Sequence, residues 1–349
     1  MPRRAFISLV LGVSGNVNAD AGVGVRIPMK KVVTWNREIR AFVSPRCIRR
    51  AIRTRLAEKG FEIDPLSTEV GQLTDVGDPV RYADDDLFGY LSPKKGKGEV
   101  QPARSGPVKV SPLIALHHTE ISVEFAGRFP RADVSDEAPD ANPVPFEVET
   151  ARWLGAMHVI VSEDVGRFRL DELPSDVLDR IEKGEYRGLV SSAGGAGGLE
   201  GPRSEVPKKM RKGGREDSLP SGEGLKELER GEREKRLRAL LEILIKEGWS
   251  FPRGSEALSQ PEYHYALIVL SESFLPMPNV LTVDSELKLD MNSLEERLKI
   301  YDWIKAYVID YEENKVHILS KNGHEVRKIE EGPLNDIIRT ITDFLLRSS

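Results

Sequence analysis

Ten basic residues crowd thirty consecutive positions near the start of the chain, and together they could bind phosphate groups. Glu38 is the only acidic residue in that stretch. Like charges repel one another on a folded surface, so a local excess of this size favours a polyanionic ligand. Nucleic acid is the first candidate because its backbone carries closely spaced phosphates. The ten residues are Arg26, Lys30, Lys31, Arg37, Arg40, Arg46, Arg49, Arg50, Arg53 and Arg55.

Four of these arginines fall on one face of a helix predicted over residues 45–58. Ser44 is a favourable N-cap, Pro45 suits the first helical position, and Gly60 follows the last turn. The four arginines have the spacing i, i+3, i+4 and i+7, and apolar residues occupy the opposite side. A solvated surface helix can show the same pattern, but here acidic residues at i±4 are almost absent. The stripe consists of Arg46, Arg49, Arg50 and Arg53.

The residues before this helix are suited to approach a ligand. Phe6–Val13 predicts a buried strand, and the loop that follows, Ser14–Gly24, is rich in Gly, Asn and Asp. Lys31–Val43 predicts a β-hairpin that turns at Asn36 and Arg37. Trp35 lies at the tip, where it is a candidate for stacking on an unpaired base. The alternative is that Trp35 anchors the hairpin on the core, and the sequence leaves both interpretations open.

Patterns for catalysis and metal binding are weak. Asp84, Asp85 and Asp86 are adjacent, so their side chains diverge, and we expect a capping and solvating acidic turn rather than a metal site. No histidine spacing predicts a metal site, and neither a Walker A nor a dinucleotide-binding sequence occurs. We therefore predict a protein that is not an enzyme and that needs no cofactor or metal. RNA cleavage through a loop carboxylate such as Asp20 stays open as an alternative.

Composition limits the class of protein. The 349 residues carry a formal net charge of -5, so a basic cluster on an acidic chain predicts a polarised surface. Cys47 is the only cysteine, which excludes disulfides within the chain and favours a reducing compartment such as the cytoplasm. No segment approaches the roughly twenty apolar residues of a membrane helix. We therefore expect no membrane partner.

Three blocks of sequence resemble one protein family. They are Asn16–Arg53, Asp85–Tyr90 (DDLFGY) and Gln101–Leu116, in the order and spacing of the family. They resemble the CRISPR-associated backbone subunit, family seven, of the DevR-like autoregulator type in the RAMP superfamily. The resemblance implies an RNA-recognition-like palm with a thumb and a helical insertion. This agrees with the order strand, basic helix, strand, strand, helix, strand, which predicts an α+β, ferredoxin-like core with large insertions.

The resemblance also implies a function. Copies of the chain would polymerise as a helical filament along a guide RNA (crRNA) in a type I Cascade complex, contact other Cascade subunits, and present the guide to target DNA. Binding through phosphates leaves base edges free to pair. A DNA-binding autoregulator of the CRISPR locus stays open as an alternative, although no helix-turn-helix stands out. The residues implied near the guide phosphates are Asn18, Arg26, Lys30, Lys31, Arg46, Arg49, Arg50 and Arg53, to which Trp35 adds stacking.

The same reading divides the chain into five regions. Residues 1–60 hold the first strand, hairpin and basic helix of the palm, and residues 61–112 are an insertion assigned to the thumb. Residues 113–183 hold palm strands, with one predicted over Thr119–Phe125, and an acidic insertion, and residues 184–224 form a flexible linker. Residues 225–349 hold a helix predicted over Leu225–Glu247, strands and the C-terminal helix that complete the palm.

Overall fold

The computed structural model describes residues 2–20, 22, 24–69, 71–92, 101–128, 144–190, 225–251, 259–275, 283, 288–321 and 323–347. The strands in these residues are β1 (Arg4–Ser14), β2 (Arg26–Ile27), β3 (Lys31–Val33), β4 (Ile39–Val43), β5 (Ser67–Glu69), β6 (Gln72–Thr74), β7 (Gly89–Leu91), β8 (Ala103–Ser105), β9 (Val108–Val110), β10 (Leu113–Ala115), β11 (Ser122–Arg128), β12 (Val144–Thr150), β13 (Arg152–Ser162), β14 (Arg167–Arg169), β15 (Leu225–Glu227), β16 (Glu262–Ser271), β17 (Lys305–Asp310), β18 (Lys315–Ser320) and β19 (Gly323–Lys328). The α-helices are α1 (Pro45–Glu58), α2 (Ala83–Phe88), α3 (Ser175–Glu182), α4 (Arg230–Glu242), α5 (Met291–Leu298) and α6 (Pro333–Leu345).

One large sheet organises the fold. Its strands run in the order β19-β18-β17-β16-β1-β13-β10-β4-β3, and β9 also pairs with β13. β1 lies at the centre, antiparallel to both β13 and β16. Because α1 follows β1 and α4 lies between β13 and β16 in the chain, the central strands show the β-α-β-β-α-β order of a ferredoxin-like unit. The predicted α+β class is confirmed.

β1 occupies the centre because its side chains are apolar on both faces. All its residues from Ala5 to Val13 are buried, as the sequence predicts for Phe6–Val13. Ile7 and Leu9 belong to the main core, which also contains the apolar sides of α1, α4 and α6. Phe6 packs on the other face of the sheet, in a second cluster that includes residues of α5. Helices thus cover the first face, and the apolar side of α1 shares its core with β1.

The predicted local elements near the start of the chain are confirmed. α1 begins and ends at the predicted residues, and the Ser44 side chain accepts a hydrogen bond from the amide of Cys47 at 3.3 Å. β3 and β4 form the predicted hairpin. β4 also pairs with β10, so the hairpin forms one edge of the large sheet.

Two predicted elements differ from the structure. The helix predicted over Leu225–Glu247 begins only at Arg230, because residues 225–227 pair with β14 as strand β15. Its last turn, Ile243–Glu247, is a π-helix. The strand predicted over Thr119–Phe125 is β11, which starts later because its partner β12 fixes the register from Ser122 onward. In the described residues, no helix is both long and apolar enough to cross a membrane.

The region 61–112 is not a projecting insertion along its whole length. Every residue of α2 is buried, and β9 joins the large sheet beside β13. Apolar residues of α2 and β9 contribute to the main core. The sequence of this region has no regular apolar period, so it did not predict this contribution. The assignment of a thumb to this region stays a prediction, and residues 93–100 lie outside the described residues.

Two predicted connections fall largely outside the described residues. Of the predicted linker 184–224, residues 184–190 are folded: Tyr186 is buried in a small cluster with Phe168 and Leu173. Residues 191–224 lie outside the described part of the chain. The same holds for residues 129–143, which contain most of the predicted acidic insertion.

Candidate nucleic-acid interface

Four cations surround the first two turns of α1, and we call them the basic face. They are Lys30, Arg46, Arg49 and Arg50; Arg46 and Arg50 are exposed, and the other two are half-buried. Burial raises the pKa of Cys47 to about 11, and the charges of Lys30 and Arg50 oppose this shift, which places both cations near the first turn. Among the described residues, ion pairs from α1 arginines are made only by Arg53 and Arg55.

Arg49 lies in the middle of the basic face and gives the strongest indication of an anionic ligand. Burial lowers its pKa, and the nearby charges of Arg53 and Arg46 lower it further. Its Nε atom is buried without a hydrogen-bond partner among the described residues. A buried N–H group without an acceptor costs free energy, and so does the crowding of like charges. A bound anion would relieve both costs.

Asn18 supplies a second donor at the start of the same helix. Its backbone has a left-handed φ of 58°, which asparagine tolerates better than most residues. Its Oδ1 atom lies 3.5 Å from the Ser44 hydroxyl, so the loop meets the N-cap of α1. Its Nδ2 atom is buried without a partner among the described residues. The predicted loop and the predicted helix are therefore brought together.

Arg26 and Lys31, two further predicted phosphate contacts, are held by a carboxylate. Glu149 on β12 lies 3.1 Å from Arg26 and 2.7 Å from Lys31, and it also accepts from the amide of Met29. Burial acts to raise the pKa of Glu149, but the hydrogen bonds from Lys31 and Met29 outweigh it and lower the pKa. The sequence did not predict the role of Glu149. It is a single acidic residue far along the chain from Arg26 and Lys31, and no local pattern identifies it as their counterion.

The second half of α1 is neutralised. The Arg53 Nε atom lies 2.7 Å from the buried carboxylate of Asp84. Arg55 pairs with Glu247, and the Lys59 ammonium lies 2.7 Å from both Glu242 and Glu247. The arginine stripe predicted from the sequence is therefore divided: its N-terminal part faces no carboxylate in the described residues, whereas Arg53 is bound within the protein.

Trp35 does not anchor the hairpin on the core of this chain. Its side chain is 97% exposed at the hairpin tip. The tip itself is ordered, because the amide of Thr34 donates to the carbonyl of Glu38 and the amide of Arg37 donates to that of Thr34, both at 2.9 Å. The anchoring interpretation is therefore wrong, and stacking on a base stays a prediction.

The prediction of a solvating acidic turn at Asp84, Asp85 and Asp86 is wrong. All three side chains are buried, at 3%, 1% and 0% exposure. Asp86 is bound by Arg104 at 2.8 Å and by Arg236 at 3.0 Å. These arginines lie far from α2 in sequence, so the local acidic pattern could not reveal that the turn is internal. No group of three metal-ligating residues occurs in the described part of the chain.

The family comparison matches more than half of the chain. The model of the family described as "CRISPR-associated negative auto-regulator DevR/Csa2" matches residues 71–288. The chain belongs to this family, which confirms the resemblance seen in the sequence. The match contains the blocks Asp85–Tyr90 and Gln101–Leu116, whereas the basic block Asn16–Arg53 lies before it.

The chain also matches solved structures at low sequence identity. One chain of a "CRISPR RNA-guided surveillance complex" has 13% identity and a TM-score of 0.46, with 88% of this chain and 89% of that chain covered. A chain of a "CRISPR RNA-guided surveillance complex, pre-nicking" has 12% identity and a TM-score of 0.48, with 88% and 93% covered. No curated protein sequence matches the chain.

Proposed function

We propose that the protein binds a single-stranded guide RNA by its phosphates and acts as a non-catalytic backbone subunit of a CRISPR interference complex. The observation that carries this proposal is the basic face, in which the buried N–H of Arg49 has no acceptor among the described residues. Membership of the DevR/Csa2 family supports the CRISPR setting. The resemblance of the Asn16–Arg53 block supports the RNA ligand.

The chemistry suits a carrier that must accept any guide sequence. Guanidinium and ammonium groups bind phosphate oxygens and carry no base information. Arg49 and Asn18 would donate to phosphate oxygens at the start of α1, while Lys30, Arg46 and Arg50 would add charge around them. Base edges then stay available for pairing with target DNA. The proposed partners are crRNA, target DNA through the guide, further copies in a helical filament and other Cascade subunits, in the cytoplasm.

The test is to purify the chain together with the products of its neighbouring genes and to sequence the RNA that remains bound. We expect repeat-flanked spacer RNAs of uniform length. The affinity of the purified chain for single-stranded RNA should also fall with salt. A plot of the logarithm of the affinity against the logarithm of the salt concentration should fall with a slope of about 0.7 for each phosphate contact. Absence of bound RNA together with no measurable affinity at low salt would overturn the proposal.

Replacing Trp35 with alanine is expected to weaken RNA binding without destabilising the protein. A side chain that is 97% exposed contributes little packing, so the free energy of unfolding should change by less than about 0.5 kcal/mol. Stacking on a base is worth about 1–3 kcal/mol, so the affinity for single-stranded RNA should fall about fivefold or more. Urea unfolding and fluorescence anisotropy measure the two quantities. Trp35→Phe is the control, because it keeps an aromatic face. Equal affinities of wild type and Trp35→Ala would exclude stacking.

A second candidate function is transcriptional autoregulation, which the description of the matched family favours. The basic face could bind duplex phosphates as well as those of a single strand, because phosphate contacts do not distinguish sequence. Footprinting on the promoter of its own gene separates the candidates. A defined footprint that survives competition by single-stranded RNA would favour the regulator, and loss of the footprint would favour the guide carrier.

A further inference from the structure

We propose that Asp84 is a positioning residue for the polyanion-binding surface: an acidic side chain that RNA binding requires because it orients α1 through Arg53. The inference rests on the proposed function for its ligand. It gives a role to the acidic start of α2, which neither the basic face nor a metal site explains. Asp84 itself is 3% exposed and therefore does not contact RNA.

Both oxygens of Asp84 are engaged, and each holds a different element. Oδ2 accepts from the Nε of Arg53 at 2.7 Å, and Oδ1 accepts from the amide of Asp64 at 2.9 Å. The carboxylate thus joins the middle of α1 to the chain that follows it. A charge-assisted hydrogen bond to a buried acceptor fixes a guanidinium more firmly than an exposed ion pair does.

A second residue of α2, Phe88, also contacts the Arg53 guanidinium. Phe88 lies one turn after Asp84, and the Arg53 guanidinium carbon sits 5.2 Å from the centre of its ring. α2 is in turn fixed to the core, since Asp86 on the same helix binds Arg104 and Arg236. Arg53 is therefore clamped to a rigid support.

The contacts of Arg53 with Asp84 and Phe88, which we call the clamp, affect the basic face because both lie on the same side of α1. Arg49 and Arg50 lie four and three residues before Arg53, so they share its side of α1. The apolar side of α1 already packs in the main core, and the contact between Arg53 and Asp84 adds a fixed point on the basic side of the helix. The crowding of Arg46 and Arg53 around Arg49 favours displacement of these side chains, and Asp84 opposes it.

The proposal and simple electrostatics predict opposite changes in RNA affinity when Asp84 is replaced. Removing an acid next to a cationic surface should strengthen the binding of a polyanion if only charge matters. If Asp84 orients the helix, its removal should weaken binding instead. Asp84→Asn is a suitable variant, because the amide oxygen can still accept from Asp64 while the amide nitrogen replaces the acceptor of Arg53.

The experiment is a double-mutant cycle on the affinity for single-stranded RNA at fixed low salt. We expect Asp84→Asn and Arg53→Gln each to weaken binding about three- to thirtyfold, the range typical of residues that act through others. The double variant should be no weaker than the weaker single variant, because both substitutions break the same contact. Glu58→Gln is the matched control: it removes an exposed acid at the end of the same helix, and binding should stay equal or become slightly tighter.

Tighter binding by Asp84→Asn, or additive effects in the cycle, would overturn the proposal and would indicate that Arg53 contacts a phosphate directly. If Asp84→Asn folds poorly, Arg53→Gln takes its place in the hydrogen-exchange measurement, because the Arg53 side chain is partly exposed and its loss also breaks the contact. Hydrogen exchange of α1 amides without RNA provides a second measurement. Unchanged exchange in both variants overturns the clamp, whereas a wild-type chain that binds no RNA overturns the proposed function.

Discussion

Replacing Arg46, Arg49 and Arg50 with glutamine is expected to remove most of the salt dependence of RNA binding. Each phosphate contact on a single strand contributes a slope of about 0.7, so three lost contacts lower the slope by about 2. Between about 50 and 200 mM salt, the wild type should therefore lose about twentyfold more affinity than the triple variant does. The measurement is fluorescence anisotropy with a labelled single-stranded RNA over a series of salt concentrations.

The control for this prediction is a second triple variant with the same change in net charge. Arg81, Arg238 and Arg339 are exposed arginines on other parts of the surface, each paired with a neighbouring acid. Their replacement by glutamine should leave the slope unchanged, because each is held in an ion pair and none belongs to the basic face. Equal slopes for the two triple variants would show that overall charge governs binding and would contradict a dedicated basic face.

The stability of the fold should not change greatly in the triple variant. The three side chains make no ion pair in the described residues, and glutamine has a high helix propensity. Loss of like-charge crowding around Arg49 favours the folded state. A melting temperature equal to or above that of the wild type is therefore expected, and it separates a binding defect from unfolding.

Local signals were sufficient to predict α1 and the hairpin before it. Ser44 and Pro45 mark the start of α1, and its apolar residues repeat with the helical period. β1 was predicted for a similar reason, since an uninterrupted apolar run is typical of a strand buried on both faces. The three arginines of the basic face belong to this group, because their common side depends on spacing within one helix.

Partners from distant parts of the chain could not be predicted. Glu149 neutralises Arg26 and Lys31, and Asp84 neutralises Arg53, only after the fold brings them together. The same limitation explains the error at the acidic run, where an acidic stretch normally indicates solvent exposure. Burial of such a run depends on long-range partners such as Arg236.

Asp85 should make the folded protein less stable as pH rises. Its side chain is 1% exposed, and burial together with the charges of Asp64 and Asp84 raises its pKa to about 9. In an unfolded chain the pKa of an aspartate is about 3.9. The native state therefore keeps a proton that the unfolded state releases. Through this group, the free energy of unfolding falls by about 1.4 kcal/mol for each pH unit between about pH 5 and 8.

Asp85→Asn is expected to remove this loss, because asparagine is neutral in both states and its side-chain oxygen can still accept from the amide of Asp78. The variant should match the wild type near pH 4 and exceed it by several kcal/mol at pH 8. Urea unfolding at a series of pH values measures the difference directly. Asp86→Asn is the contrasting control, since it weakens the contacts of Arg104 and Arg236 and should destabilise the protein across that range. Parallel pH profiles for wild type and Asp85→Asn would show that Asp85 is ionised in the native state, and the buried acidic run would then hold one more negative charge against the same arginines.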